Sequence, residues 1–253
     1  MNTRALVAVI ACRNNGSRLY GKPMQNLDVS SGWKVLDQVI ANLSNLHLID
    51  EVLLAISHGS ASHCFVDYAN AHGLRFVVGD ENDVLGRLLE GLKLSHATDL
   101  FRVTSESPFL YIPAVNNAWK SHLAGCADAT FMDGIIDGCG FEILTLNSLQ
   151  LSWDQGSERH RSELCTLFIR ENRDLFNILQ LPEPYSLCRK DLRLTVDNPE
   201  DLIVCRAVFN YLCESQILPN YDLLEIIEFL DRNPDLIKLI APFAEEGYKT
   251  MYI

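Results

Sequence analysis

Residues 5–23 read Ala5-Leu6-Val7-Ala8-Val9-Ile10-Ala11-Cys12-Arg13-Asn14-Asn15-Gly16-Ser17-Arg18-Leu19-Tyr20-Gly21-Lys22-Pro23, and the change of character within them decides the fold. Residues 5–11 are a continuous apolar run of strand length. A strand with one wet face would alternate, so this run is expected to be buried on both faces, as in a parallel sheet covered by helices. From residue 12 to residue 32 the chain carries Gly, Asn, Ser and Pro and reads as a long loop.

Outward from this strand, helical and strand-like spacings take turns. From Trp33 to about Leu46 the apolar residues Val35, Leu36, Val39, Ile40 and Leu43 fall at helical intervals. Strands are expected at 51–57, 74–78, 99–104 and 127–131, with helices at 63–72, 83–95 and 112–124 between and after them. Residues 158–171 and 199–213 read as helices with a strand at 191–196 between them, and two short helices close the chain at 222–230 and 234–239. Strands alternating with helices imply βαβ units and an α/β doubly wound, mostly parallel sheet. Ligands bind such sheets beyond the carboxyl ends of the strands, so the loops after the first, second and fourth strands are the expected functional ones. The segment 132–190 breaks the alternation and is expected to be an excursion for acceptor or dimer contacts. Residues 1–215 would thus form the main α/β domain, and 216–253 a helical extension of it.

The loop after the first strand is the candidate site. Gly16, four residues, then Gly21-Lys22 matches most of a phosphate-binding P-loop. The next residue would have to be Ser or Thr, and it is Pro23, which has neither hydroxyl nor backbone donor. A P-loop kinase or GTPase is therefore excluded. Arg13, Arg18 and Lys22 still lie within ten residues of each other in a chain with 21 Lys and Arg against 33 Asp and Glu, a net charge of −12. Cations beside glycines suit a polyphosphate: the glycines let the backbone approach and the cations neutralise charge. The plain alternative is a solvated loop with ordinary surface cations.

An acidic average surface argues against nucleic acid and against anionic membranes as partners. No apolar run approaches the ~20 residues of a membrane span, and Arg13, Arg18 and Lys22 follow the first run where a signal peptide would need small residues. The eight cysteines form no Cys-x-x-Cys pair and have no histidine at zinc-finger spacing. They read as reduced core residues of a cytoplasmic protein. The histidines, among them His58, His63, His96 and His160, have no metal spacing.

The first loop resembles the "ARxxSxRLPGKxL" signature of the sugar cytidylyltransferases, a family that includes the CMP-Kdo and CMP-sialic acid synthetases and, more closely, the spore-coat polysaccharide biosynthesis proteins of SpsF type. Four further blocks follow in order: 80–88 (DENDVLGRL), 101–108 (FRVTSESP), 192–202 (LRLTVDNPEDL) and 226–234 (IIEFLDRNP). The resemblance covers residues 5 to about 240. It implies a Rossmann-like three-layer sandwich of the nucleotide-diphospho-sugar transferase type, a homodimer, and attack by a sugar oxygen on the α-phosphorus of CTP with release of pyrophosphate. By the same resemblance, Arg13 and Lys22 would hold the triphosphate as catalytic cations, with Ser17, Arg18 and Gly21 beside them. Glu106 and Asp197 would hold Mg²⁺ or Mn²⁺. Asp80, Asp83, Arg87, Glu142 and Arg161 would contact base, ribose or sugar acceptor.

Two of these roles have structural alternatives. Asp197-Asn198-Pro199-Glu200 also suits a helix N-cap at Asp197, and Asp80 or Asn82 could cap the helix that carries Arg87. The chain also departs from the family pattern. Ser105-Glu106 stands where the family has Gly-Asp, which keeps the charge but adds a methylene; Tyr20 replaces a proline; and the block 161–165 (RSELC) lacks the family's histidine. These departures motivate a non-catalytic nucleotide-binding homologue as an alternative. A glycosyltransferase using a nucleotide sugar is another, although 104–106 (TSE) lacks the Asp-x-Asp pair it would require.

Overall fold

The structure, a computed structural model, describes residues 4–14 and 18–251, with residues 245–251 by backbone alone. Ser17 lies outside the described residues. In chain order the elements are β1 (Leu6–Cys12), β2 (Asn26–Asp28), β3 (Trp33–Lys34), α1 (Val35–Ser44), β4 (Val52–Ser57), α2 (His63–His72), β5 (Arg75–Gly79), α3 (Val84–Leu94), β6 (Asp99–Arg102), α4 (Val115–Ala124), β7 (Ala129–Met132) and β8 (Phe141–Thr145). They continue as α5 (Leu146–Gln155), α6 (Glu158–Arg161), α7 (Leu167–Glu171), β9 (Ile178–Gln180), α8 (Pro199–Glu214), α9 (Leu223–Arg232) and α10 (Pro234–Met251).

Seven strands form one sheet in the order β5-β4-β1-β6-β8-β7-β9. All neighbouring pairs are parallel except those made by β8, which runs antiparallel to both β6 and β7. β1 explains the sheet. Its Leu6, Ala8, Ile10 and Cys12 face one core, packed among residues of α1, α2, α8 and α9, while Val7 and Val9 face a second core with Leu85, Leu88, Leu89 and Leu92 of α3. Both faces are covered by helices, which is why the run is apolar throughout. From β1 the chain moves one way to β4 and β5, then returns to the other side as β6, so the order reverses at β1. Such a reversal opens a crevice at the carboxyl ends of the two strands beside it.

The alternation expected from the sequence holds as far as β7, apart from the small antiparallel hairpin of β2 and β3 within the expected loop and at the expected start of the first helix, and the other departures lie in the later half. Residues 192–196 are buried but join no strand of the sheet, and Asp191 is exposed. A single bridge links Arg193 to Asp137, and the backbone is held by Leu194 N to Asp137 O at 2.8 Å and Val196 N to Glu106 O at 2.9 Å. The apolar spacing there reflects burial, which the segment satisfies without a full ladder. Residues 158–171 form two short helices rather than one, because 162–166 are drawn into contacts with the first loop and with β8. The last helix reaches Met251, well past the expected end at 239, with Pro242 inside it. α5, β8 and β9 were not expected. Helices α9 and α10 pack on α8, with Leu223, Ile226, Leu230 and Ile240 in the larger core.

All eight cysteines are free; Cys12, Cys139, Cys165 and Cys205 are buried, whereas Cys126 and Cys213 are exposed. Among the described residues no helix is long and apolar enough to cross a membrane.

Candidate active site

A cleft of about 650 Å³ opens at the carboxyl ends of β1 and β6. One side is the first loop, with Arg13, Arg18, Gly21 and Lys22. The floor is residues 103–107 after β6, and the far wall comes from β7, β8, the 163–170 segment and residues 193–197. The loop after β4, expected to take part, is absent from this lining. Its place is taken by the 132–190 excursion, because β8 inserts beside β6 and brings its own loops to the crevice.

The first loop is shaped to deliver Lys22. Gly21 has φ +61°, a left-handed conformation that favours glycine. It is followed by a single 3₁₀ turn, Lys22–Met24, in which Pro23 fits because a first-turn residue has no intrahelical use for an N–H. The Lys22 ammonium then donates to Asp197 Oδ1 at 2.6 Å, and Arg18 lies 3.8 Å from the same oxygen. The other oxygen of Asp197 accepts from Arg193. Burial would push the Asp197 carboxyl up, but Lys22, Arg193 and Arg18 outweigh it and hold it below the usual carboxylate range. Asp197 is therefore not the helix cap that its sequence context allowed. α8 is capped from Asn198, whose backbone N–H donates to Asp201 at 2.8 Å, and Asp197 is free to turn into the cleft.

Glu106 reaches the same place from β6. Its carboxylate accepts from Ser105 Oγ at 2.7 Å, and its carbonyl accepts from Val196 N. Burial, and next the charge of Asp197, raise its pKa. Glu106 and Asp197 thus present two carboxylates to the same cleft. Among the described residues no group of three or more His, Cys, Asp or Glu gathers around one point. Two carboxylates, with the remaining positions left to phosphate oxygens and water, fit Mg²⁺.

The far wall is a charge network. Glu142 on β8 accepts from Arg102, from Arg170 Nη2 at 2.8 Å and from Thr166 Oγ1 at 3.0 Å. Burial opposes its ionisation, yet the two guanidinium groups hold its pKa at about 2. Arg170 also donates to Asp133 at 2.6 Å and lies 3.9 Å over the Phe131 ring. Gly138, at φ +89°, lets the β7–β8 connection press on the backbone of Leu194 and Thr195, where a Cβ would come within 2.6 Å of Thr195 N. Across the mouth, Arg13 pairs with Glu163 at 2.7 Å, both largely exposed. Glu163 falls within the block where the family's histidine is missing.

Of the residues singled out from the sequence, the structure brings Arg13, Arg18, Gly21, Lys22, Arg87, Glu106, Glu142 and Asp197 to the cleft. Asp80 and Asp83 do not line it. Asp80 accepts from the backbone of Asn82 and Asp83, while Asp83 caps α3 through Gly86 N at 2.7 Å and accepts from the Trp153 indole at 2.8 Å. The helix is capped, but by Asp83 rather than by the Asp80 or Asn82 that the sequence suggested. Arg87 is buried, and its guanidinium ties the preceding loop, through the carbonyls of Asp80 and Glu81, to β4, through the carbonyl of Ala55. Arg161 stacks 4.5 Å over Trp153 and donates to its carbonyl, away from the cleft. Sequence reasoning missed Arg102, Arg170, Asp133, Asp137 and Arg193. Only the charged residues interrupting the apolar runs at 99–104 and 191–196 signalled any of them.

A mostly parallel sheet covered by helices on both faces, with a cationic loop at its switch-point crevice, defines a doubly wound α/β sandwich. The family profile for cytidylyltransferases matches residues 7–233, and the chain belongs to that family of nucleotidyltransferases. It is 25% identical over 244 residues to an uncharacterized protein of Methanocaldococcus jannaschii, covering 96% of this chain and 98% of that one. It is also 25% identical over 236 residues to the spore coat polysaccharide biosynthesis protein SpsF of Bacillus subtilis, covering 91% and 95%. Among solved structures, a cytidylyltransferase from Leptospira borgpetersenii superposes with a TM-score of 0.82 at 19% identity, covering 93% of this chain and 97% of the other.

Proposed function

We propose that this chain transfers CMP from CTP to a hydroxyl of a sugar-like acceptor, with release of pyrophosphate, in surface-glycan biosynthesis. The observation that carries the reading is the convergence of Lys22 and Arg18 of the first loop on Asp197, opposite Glu106. Arg13, Arg18 and Lys22 bind the triphosphate and stand ready before charge develops on the departing pyrophosphate, so little reorganisation opposes the reaction. The acceptor oxygen bonds to the α-phosphorus as the bond from that phosphorus to the β-phosphate bridging oxygen breaks; the hydroxyl proton passes to water and the bond's electron pair leaves with pyrophosphate. Glu106 and Asp197 would hold Mg²⁺ or Mn²⁺, which when bound would supply Lewis-acid stabilisation of the developing charge. The excursion wall, with Glu142, Thr166 and Arg170 fixed by mutual bonds, orients the acceptor. The SpsF relative supports the glycan context. Action in the cytoplasm and assembly as a homodimer are part of the same proposal.

The test is pyrophosphate release by the purified protein from CTP and a divalent metal, against pools of sugars, keto-acid sugars and polyol phosphates. Release with one pool identifies the acceptor class. No release from any pool, together with no thermal shift on adding CTP and metal, removes the reading.

A further inference from the structure

Asp197 is gripped from two sides that differ in kind. At Oδ1 it meets Lys22, a flexible cation on a loop. At Oδ2 it meets Arg193, which is only 3% exposed and reaches three carboxylates at once. Arg193 Nε donates to Asp201 Oδ1 at 3.2 Å and Nη1 to Asp137 Oδ2 at 2.9 Å, while Nη2 takes Asp197. The first two anchors are themselves fixed. Asp201 accepts at Oδ2 from the backbone of Asp197 and Asn198 at the start of α8, and the Asp137 carbonyl accepts from Leu194 N. A planar guanidinium held at two corners has no rotation left, so its third corner defines a direction.

We propose that Arg193 is a positioning residue: it fixes Asp197 through Oδ2 and so leaves Oδ1 as the one oxygen presented to the divalent cation when nucleotide is bound. The inference rests on the cytidylyl-transfer reading above. In the nucleotide-free protein Oδ1 faces the Lys22 ammonium. When the triphosphate draws Lys22 to itself, Arg193 keeps the carboxylate aimed.

The experiment measures Mn²⁺ binding to the full chain by electron paramagnetic resonance, in the presence of a CTP analogue with a methylene between the α- and β-phosphorus. Thermal unfolding and analogue binding without metal are followed in parallel. Arg193→Met is expected to raise the Mn²⁺ Kd by about 10–100-fold, the usual effect of losing a partner that orients a metal ligand. Arg193→Lys restores part of the loss, and analogue affinity without metal stays at the wild-type value. A purely structural role would instead lower the melting temperature and weaken both ligands together. If Arg193→Met does not fold, Arg193→Lys, which keeps a charge among the three aspartates, carries the measurement with a loss of several-fold. A folded variant that binds Mn²⁺ as tightly as wild type overturns the role of Arg193. Wild-type protein that takes up no Mn²⁺ with the analogue bound overturns the underlying reading.

Discussion

Lys22 and Asp197 are 175 positions apart in the chain and 2.6 Å apart in the cleft. The lysine is delivered by a left-handed glycine and a proline-started turn, the aspartate by the buried strand-like segment that precedes α8. Their contact closes the crevice from both ends of the chain, and it brings the charge that would hold phosphate against the charge that would hold metal.

Lys22→Ala is expected to lower pyrophosphate release from CTP by about 10²–10³-fold, the usual effect of removing one preorganised group that stabilises developing charge. The fold should persist, because Arg18 and Arg193 still neutralise Asp197. Initial rates and melting curves check both halves, and wild-type turnover in the variant would remove the triphosphate role from Lys22.

Turnover is expected to require Mg²⁺ or Mn²⁺ and to favour CTP over ATP, GTP and UTP. Chelation should abolish it and re-addition of metal restore it. Equal pyrophosphate release from all four nucleotides would argue against a cytidine pocket.

Two buried acids should give stability opposite pH dependences. Glu142 has its pKa held at about 2 against an ordinary value of 4.5, so its contribution is full above about pH 4.5 and is lost as pH falls toward 2. Asp137 is pushed up to about 6 from 3.8, chiefly by burial and despite Arg193. The folded protein therefore holds this proton more tightly, and stability is lost as pH rises from about 4 through 6. Glu142→Gln leaves Arg102 and Arg170 short of a carboxylate and should cost about 3–5 kcal/mol at neutral pH, less in acid. Asp137→Asn should flatten the profile between about pH 4 and 6. Urea unfolding from about pH 2 to about pH 7 checks both, and parallel profiles for wild type and variants would contradict the assignments.

Asp83→Ala removes the cap of α3 and the partner of the Trp153 indole. A loss of about 1 kcal/mol in stability is expected, with the KM for CTP unaltered. A raised KM at unchanged stability would give Asp83 a substrate contact instead.

The opening strand and the loop behind it were legible in the sequence because their physics is local. An unbroken apolar run means two covered faces, and Pro23 after Gly21-Lys22 excludes a P-loop whatever the rest of the chain does. Arg13, Arg18 and Lys22 stood out because cations are conspicuous beside glycines in an acidic protein. Asp83 was read as a ligand residue, with Asp80 or Asn82 as the possible cap, and it proved to be the cap itself, since both roles ask for the same residue type in the same local context. β8 could not be read: Phe141 and Ile143 are buried in one core and Leu144 in the other, and antiparallel pairing between distant segments leaves no mark of direction in a five-residue run.

The sequence by itself determined the alternating α/β framework, the family and the cationic loop, because periodicity, turn chemistry and motif order are properties of neighbouring residues. Tertiary structure alone decided which carboxylates meet those cations. Asp197 turns into the cleft only because Asn198 and Asp201 cap α8 in its stead, and Arg193 aims it only because Asp137 and Asp201 arrive from separate elements. Such charge pairings depend on distance in space, which a chain of residue types does not carry.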